Sequence, residues 1–455
     1  MTGPEANPCI RACASLRKSL ADRVFWIFVV LGWGTQWMVT DGLFQCFAIF
    51  DAELPGGLNL PQVSISLVGN SASAIPVIIW PILFYKHPPS ERVYVGVAWA
   101  AAIAPAVIAF IAAVGWRVVV GNVAVIVEST VSAAILVGNF VYVAQLPMLA
   151  IYYIESCTAG VMLGSGLGSS FAGILGIIQE SLQDSENASQ NAFGPGPYMG
   201  VITVLAACST VAWVYIWHEG IGRRPNPSKD NAAEDERDGK AEAACQGSTT
   251  TATPLIPVKA GGKTEHSKLI ATPAGICDSY FVSVTLLGSI ISIQTWGLTF
   301  LQFAAANASC TCDTADATNK RTFQLATALA FIAMPIGGLL SHLAPSYDLR
   351  VHTALVCLHI LAFLFQTLAV AGAGVMTCSV AAQAIVILSN AMLRGVYQYL
   401  IALQYPMLAR RYEGTPGNSE RAVLLFGLIT TWLIIVTTYI SYALTETNVV
   451  SCPLH

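Results

Sequence analysis

Charged residues are scarce in this sequence. Asp, Glu, Lys and Arg make up 11% of its 455 residues, whereas a typical soluble domain carries about 25%. Hydrophobic residues make up 55%, and the mean hydropathy is +0.62. This balance excludes a water-soluble globular domain and is typical of a chain that crosses a membrane many times.

Several motifs that carry chemistry are also missing. The sequence has no Walker ATP-binding motif, no H-E-x-x-H or G-x-G-D protease motif, no C-x-x-C pair and no cluster of metal ligands. His359 stands alone in a predicted span, and we interpret it as a packed hydrogen-bond donor. These absences predict a non-enzyme that needs no cofactor and no metal. Residues 1–23 are polar and basic, so we expect no cleavable signal peptide.

Apolar runs that reach the roughly 20 residues of a membrane-crossing helix recur along the chain. The polar segment 218–272 has almost no aromatic residues, and we expect a disordered linker there. It divides a predicted six-helix bundle, 24–217, from a predicted five-helix bundle, 273–444, with a tail at 445–455. The eleven predicted spans lie near 24–50, 63–85, 93–114, 118–146, 157–178, 197–217, 273–303, 322–343, 352–374, 378–404 and 422–444.

Positive charges predict the orientation. Eighteen of the 22 Lys and Arg residues fall on the N-terminal side of the membrane and three on the other side. Because Lys and Arg concentrate in cytoplasmic loops, we predict a cytoplasmic N-terminus, a cytoplasmic linker and an extracellular C-terminus. The sequons at Asn187 and Asn307 fall in predicted outer loops, where glycosylation occurs. We expect the plasma membrane.

Four of the twelve cysteines lie at or near the predicted outer face, where disulfides persist. Cys378 and Cys452 are placed to join the loop after the ninth span to the C-terminal tail. Cys310 and Cys312 either bind a partner or stay free. Spacing alone leaves the connectivity open.

Four predicted spans each carry a stripe of polar and aromatic residues. Residues three, four or seven apart share a helix face, so the members of the first stripe fall within about 80°. Such stripes avoid lipid and line a bundle interior or a cavity. The stripes are Trp33, Trp37, Asp41 and Phe44; Glu128, Ser132, Asn139 and Tyr142; Thr285, Ser292, Trp296 and Thr299; and Asn390, Arg394, Tyr397 and Gln398.

These stripes predict a substrate-binding site, with helix packing as the alternative for any single polar residue or tryptophan. Aromatic faces stack on flat rings, while amides and hydroxyls hydrogen-bond ring edges. The predicted substrate-binding residues are Trp37, Asp41, Phe44, Asn139, Tyr142, Trp296, Thr299, Arg394, Tyr397 and Gln398.

Asp41, Glu128 and Arg394 are charged residues inside predicted spans. A charge at the membrane centre costs on the order of 3 kcal/mol on insertion scales. We interpret Arg394 as the ion-pair partner of Asp41 or of Glu128. The pair either latches one conformation of an alternating-access cycle or is purely structural. Few free charges remain after pairing, which favours a neutral, planar, polar solute.

The stretch WMVTDGLFQCFAIFDAELPGGLNLP, residues 37–61, resembles the first span and outer loop of the eukaryotic riboflavin transporters. That family reads W-x-x-x-N-G-[IL]-W followed by E-L-P-x-G-x-x-L-P. The stretch LGSGLGSSFAGILGIIQ, residues 163–179, is similar to the family's F-L-G-Q-G-L-S…Q run, with Gly164 and Gly166 in register. RAVLLFG, residues 421–427, is similar to R-x-A-L-L-W-C-G. The resemblance is spread over the chain and is specific in its first half.

This resemblance implies import of riboflavin by alternating access, an outer disulfide that suits Cys378 with Cys452, and an eleven-span topology. The fold class it implies is an all-α membrane protein of two bundles, like major-facilitator and equilibrative transporters. Glycines at 164 and 166 are expected in close helix packing. Asp41 stands where the family has Asn, and Ser165 replaces a Gln. The partners implied are riboflavin and the lipid bilayer, with no nucleic acid.

Other functions fit parts of the pattern. An equilibrative nucleoside or nucleobase transporter also has eleven spans, a long loop after the sixth, and a flat polar substrate. A sugar or drug facilitator lacks support because the G-x-x-x-D-x-x-G-R-[RK] loop is replaced by FYKHPPSERVYVG. A receptor lacks a folded soluble domain for signalling.

Overall fold

The computed structural model describes residues 22–46, 49–50, 53–55, 69–84, 89–181, 194–224, 278–298, 315–371, 380–413 and 417–446. These ranges are helical apart from turns and isolated β-bridges such as that between Val120 and Val123. The predicted all-α class is confirmed. The helices are α1 (Arg23–Trp33), α2 (Gln36–Gln45), α3 (Asn70–Phe84), α4 (Glu91–Gly115), α5 (Val125–Phe140), α6 (Leu146–Tyr152), α7 (Glu155–Ser181), α8 (Pro195–Glu219), α9 (Ser279–Ser292), α10 (Ala315–Leu343), α11 (Leu349–Ala371), α12 (Val380–Arg411) and α13 (Asn418–Glu446).

Eight helical stretches in the described ranges are long and apolar enough to cross a membrane. The chain is therefore an all-α multi-pass membrane protein, and the count of eleven spans stays a prediction. Shorter apolar helices lie at Arg23–Trp33, Asn70–Phe84 and Ala328–Leu343. The eight are Glu91–Gly115, Val125–Tyr152, Glu155–Ile178, Pro195–Glu219, Ser279–Gly297, Leu349–Leu368, Gln383–Arg411 and Asn418–Ser441.

The run predicted as one span at 24–50 is divided into α1 and α2 at Gly34 and Thr35. Gly34 approaches Ser209 of α8 so closely that a Cβ on it would overlap that side chain. The Ser209 hydroxyl donates a hydrogen bond to the Leu31 carbonyl. A carbonyl near a helix end needs such a partner, so α8 leaves room only for glycine at the break and satisfies the carbonyl freed there.

Helix α7 packs against α1, α2 and α10. Its glycines make this possible, because small residues let helix backbones approach closely in membranes. A Cβ on Gly164 would overlap the Val29 carbonyl of α1, and a Cβ on Gly166 would overlap the backbone at Pro335 of α10. Helix α12 packs in turn on α10 and α11.

Residues 1–222 and 276–455 belong to one compact unit by their contacts. Arg223–Gly275 forms a second unit, of which only residues 223 and 224 are described. Below, the N-terminal segment is 22–222 and the C-terminal segment is 278–446. One buried apolar cluster joins them, with Leu146 and Met162 from the first and Leu400 and Phe426 from the second. The division into bundles 24–217 and 273–444 stays a prediction.

Candidate functional site

Two π-helical turns that are described in full interrupt the helices. Val141–Gln145 joins α5 to α6, and Ile293–Gly297 follows α9. π-helical turns are rare and are frequent at functional sites. Each carries a predicted site residue, Tyr142 in the first turn and Trp296 in the second. The sequence did not predict the turns, because a hydrophobic pattern of period 3.6 does not register one inserted residue.

Five predicted residues meet in what we call the central cluster: Trp37, Tyr142, Trp296, Arg394 and Tyr397. The indoles of Trp37 and Trp296 are stacked, with centroids 4.7 Å apart and planes 24° apart. The guanidinium carbon of Arg394 lies 3.8 Å from the Trp296 ring centroid. The cluster therefore joins α2 of the N-terminal segment to the second π-turn and α12 of the C-terminal segment.

The tyrosines complete the central cluster. The Tyr397 hydroxyl donates to the Tyr142 hydroxyl at 3.1 Å, and the Tyr405 hydroxyl donates to the Tyr142 carbonyl at 2.7 Å. Tyr142 contacts Trp37 at 6.1 Å, and Tyr397 meets Trp296 edge-on at 5.9 Å between centroids. Ring contacts therefore connect the N-terminal segment, with Trp37 and Tyr142, to the C-terminal segment, with Trp296 and Tyr397.

Arg394 does not form the predicted ion pair. It is 7% exposed, and neither Asp41 nor Glu128 lies within ion-pairing distance of it, so that interpretation is corrected. Its charge is held instead over Trp296, a cation–π contact that accommodates a weakly hydrated guanidinium. Asp41 is 2% exposed, lies near the Ser169 hydroxyl and interacts with the Arg394 charge without direct contact.

Several buried polar atoms in the central cluster and on its helices have no hydrogen-bond partner among the residues that the structure describes. They belong to six side chains on five elements, and one of the carboxylate oxygens of Asp41 is among them. Buried polar groups are costly unless they are hydrogen-bonded. This arrangement is suited to a polar solute that supplies the bonds. The side chains are Gln36, Asp41, Asn139, Ser292, Trp296 and Arg394.

Two predicted binding residues lie elsewhere. Phe44 is partly buried against an apolar cluster that includes Leu43 and Ile49. The Gln398 amide donates to the Met162 carbonyl and contacts the Ser165 hydroxyl at 3.5 Å, which joins α12 to α7. The predicted residues Thr299, Asn187, Asn307, Cys378 and Cys452 lie outside the described residues.

Three polar residues of the site were not predicted from the sequence: Gln36, Gln294 and Thr295. Gln36 is fully buried, and both polar atoms of its amide lack a partner within the described ranges. The sequence feature that could have indicated Gln36 is its position next to Trp37, as a polar residue inside an apolar run. Gln294 and Thr295 precede Trp296 in the second π-turn and bond to His359. No group of three metal-binding side chains occurs in the described part of the chain.

A second polar cluster lies at the helix ends predicted to be cytoplasmic. Arg410, near the end of α12, pairs with Glu155 at the start of α7. The Tyr347 hydroxyl donates to Glu155 at 2.8 Å, and the Arg410 guanidinium lies 4.5 Å from the Tyr347 ring centroid. We call these three residues the inner-end cluster. It also joins the two segments.

Asp278 lies beside the inner-end cluster and caps α9. Its carboxylate accepts hydrogen bonds from the Phe281 amide at 2.8 Å and the Tyr412 hydroxyl at 2.6 Å, and Arg411 lies 3.9 Å away. Burial acts to raise the pKa of Asp278, but the hydrogen bonds from Tyr412 and Phe281 and the charge of Arg411 outweigh it and hold the pKa below its ordinary value.

No protein-family model and no curated protein sequence matches the chain. Among solved structures, the chain is similar to a bacterial homologue of the iron transporter ferroportin in its outward-facing state. The two share 12% sequence identity over 94% of this chain and 98% of the other, with a TM-score of 0.48. A bacterial homologue of the human lysosomal transporter Spinster, inward-facing and unoccupied, also shares 12% identity. That likeness covers 96% of this chain and 82% of the other, with a TM-score of 0.44.

Proposed function

We propose that this chain is a membrane transporter that imports riboflavin across the plasma membrane by alternating access. The observation that carries the proposal is the stack of Trp37 on Trp296, with Arg394 over the second ring. The stack brings together residues from the N-terminal and C-terminal segments. Transporter sites commonly lie at the interface between such halves, near the middle of the membrane.

The chemistry of the central cluster favours a flat, polar solute. Indole faces stack on planar rings, and a guanidinium lies favourably over a π-system. The amides of Gln36 and Asn139 and the carboxylate of Asp41 have unpartnered buried atoms. Such groups hydrogen-bond the edge of a heterocycle or the hydroxyls of a sugar-like chain. Riboflavin combines both parts in one molecule.

The resemblance of residues 37–61 and 163–179 to the riboflavin transporters supports the same substrate. The first stretch contains Trp37 and Asp41, and the second contains Ser165 and Ser169. Arg394 is the cation of the central cluster, and it already lies over Trp296. Its Nη1 atom has no hydrogen-bond partner among the described residues, so it can donate to a carbonyl on the edge of the flavin ring.

Uptake of labelled riboflavin by cells that express the chain tests the proposal. We expect saturable uptake that excess riboflavin blocks and that adenosine and uridine leave unchanged. Surface expression is measured in parallel, so that absence of uptake is interpretable. Block by adenosine or uridine identifies a nucleoside transporter instead, and absence of riboflavin uptake by chains present at the surface rejects the riboflavin assignment.

A further inference from the structure

The second π-turn presents Trp296 to the central cluster. The Leu298 amide donates to the Ile293 carbonyl at 2.9 Å, which is the wide hydrogen bond of a π-turn. A single widened turn changes the direction in which the following side chains point. Trp296 lies within this turn, so the direction of its ring follows from the geometry of the turn.

His359 of α11 contacts this turn with both ring nitrogens. It is fully buried, with Nε2 at 3.0 Å from the Thr295 hydroxyl and Nδ1 at 2.7 Å from the Gln294 amide oxygen. Because an amide oxygen only accepts, Nδ1 carries the proton, and Nε2 of the neutral ring accepts from Thr295. One imidazole thus fixes two consecutive residues of the turn, both adjacent to Trp296.

The same histidine lies next to the other partner of Trp296. Helix α11 packs on α12, and His359 lies near the Leu393 backbone and close enough to Arg394 to be influenced by its charge. His359 itself does not belong to the central cluster. It lies between the turn that carries Trp296 and the helix that carries Arg394.

We propose that His359 is a positioning residue that fixes the second π-turn, and through it the stack of Trp296 on Trp37 and its contact with Arg394. The effect on substrate affinity rests on the proposed function. The effect on the stack does not, because it concerns the protein alone. His359 thereby acquires a role beyond packing.

The stack is measured directly by circular dichroism of the purified full-length chain in nanodiscs. Two stacked indoles give an exciton couplet, isolated as the difference between wild type and Trp37→Phe. We expect His359→Ala to remove most of this couplet. The matched control is His352→Ala, which removes another buried histidine of α11 that bonds to the Ser346 carbonyl, away from the π-turn. We expect the control to keep the couplet.

Two milder variants cover the case in which His359→Ala does not fold. Gln294→Ala and Thr295→Val each remove one of the two bonds, and each is expected to weaken the couplet. His359→Asn, whose amide N–H replaces Nδ1–H, is expected to recover part of it. A couplet that survives in the three variants that remove bonds overturns the proposal. Equal loss in His352→Ala also overturns it, because general packing would then be the cause.

Riboflavin uptake gives a second readout. His359→Ala is expected to raise KM by about 5-fold, the effect of losing about 1 kcal/mol of hydrogen bonding, with surface expression unchanged. An unchanged KM for His359→Ala overturns the link to affinity. If wild type does not take up riboflavin, the proposed function fails, and the couplet still decides the role of His359.

Discussion

Trp296 is the residue with the most varied contacts in the central cluster. It stacks on Trp37, lies under Arg394 and meets Tyr397 edge-on. Asp41, by contrast, is buried with one carboxylate oxygen unpartnered in the described ranges. At the scale of single residues, the site thus combines stacked aromatic rings with buried polar atoms that a solute can satisfy.

Trp296→Ala removes the aromatic surface. We expect the KM for riboflavin uptake to rise by about 10-fold or more, since stacking of a flat ring on an aromatic side chain contributes about 1–3 kcal/mol. Trp296→Phe keeps an aromatic face and is expected to lose less. The control is Trp217→Ala in α8, where the side chain is 41% exposed. A KM for Trp296→Ala equal to that of the control contradicts the assignment.

Asp278→Ala tests the cap of α9. Because hydrogen bonds and Arg411 hold the pKa of Asp278 below its ordinary value, the carboxylate stabilises the folded chain above the unfolded-state pKa of about 3.9. That contribution is lost as pH falls through the lower folded-state pKa. We expect Asp278→Ala to lower Tm equally at neutral pH and at about pH 5, by the equivalent of about 1 kcal/mol.

Thermal unfolding across pH measures this effect, and Asp278→Asn is its control. Asparagine keeps an oxygen that accepts from the Phe281 amide but loses the charge. We therefore expect a smaller loss of Tm. A difference between wild type and Asp278→Ala that grows as pH falls below about 4 would contradict the assigned direction of the pKa.

At the scale of elements, hydrophobic runs predict where helices lie better than where they break. The glycine-rich run 157–178 is helical throughout, within α7. The run 24–50 is divided at Gly34, where α8 approaches closely. The run 118–146 begins helically only at Val125, after a turn closed by Val120 and Val123. The first break lies at a tertiary contact that the segment alone does not contain, and the second is a local turn.

The sequence predicts which residues of the candidate site share a face of one helix, but not which residues of other helices they contact. Helical spacing placed Trp37 and Asp41 on one face, but it says nothing of the distant residue that each face meets. Opposite charge favoured a carboxylate partner for Arg394, whereas the structure supplies Trp296. The contacts of His359 could not be predicted from the sequence, since its partners lie in a π-turn that hydrophobic periodicity does not predict.

Gly164→Ala tests the close packing of α7. A Cβ on Gly164 would overlap the Val29 carbonyl. Because this is a backbone atom, relieving the overlap requires a shift of helix α1 that costs free energy. We expect a loss of about 1–3 kcal/mol of stability, typical of overpacking, measured as a lower Tm in detergent. The control is Gly200→Ala in α8, where no atom lies within 4 Å of the added Cβ. Tm is expected to stay the same or rise there. Equal Tm values for both variants contradict the packing.

At the scale of the whole molecule, the central cluster and the inner-end cluster both join the N-terminal segment to the C-terminal segment. Alternating access requires such contacts to form and break as the halves move. In this conformation, Glu155 and Arg410 are paired at the end predicted to be cytoplasmic. The pair therefore stabilises the arrangement in which that end is held together.

Exchanging the two charges tests this contact. Glu155→Gln and Arg410→Gln are each expected to lower Tm slightly, because a pair with 27% and 47% exposed side chains contributes under about 1 kcal/mol. The exchange Glu155→Arg with Arg410→Glu is expected to recover part of the stability that each single reversal loses. Strictly additive losses in the double variant would show that the two residues do not interact.

The most direct test of the account is riboflavin binding to the purified chain, followed by quenching of flavin fluorescence. We predict saturable quenching by wild type and by Trp217→Ala, because the proposed site places the flavin ring against the indoles of the central cluster. We also predict loss of binding in Trp37→Ala and in Trp296→Ala. Binding that is unchanged in both of these variants would contradict the central claim.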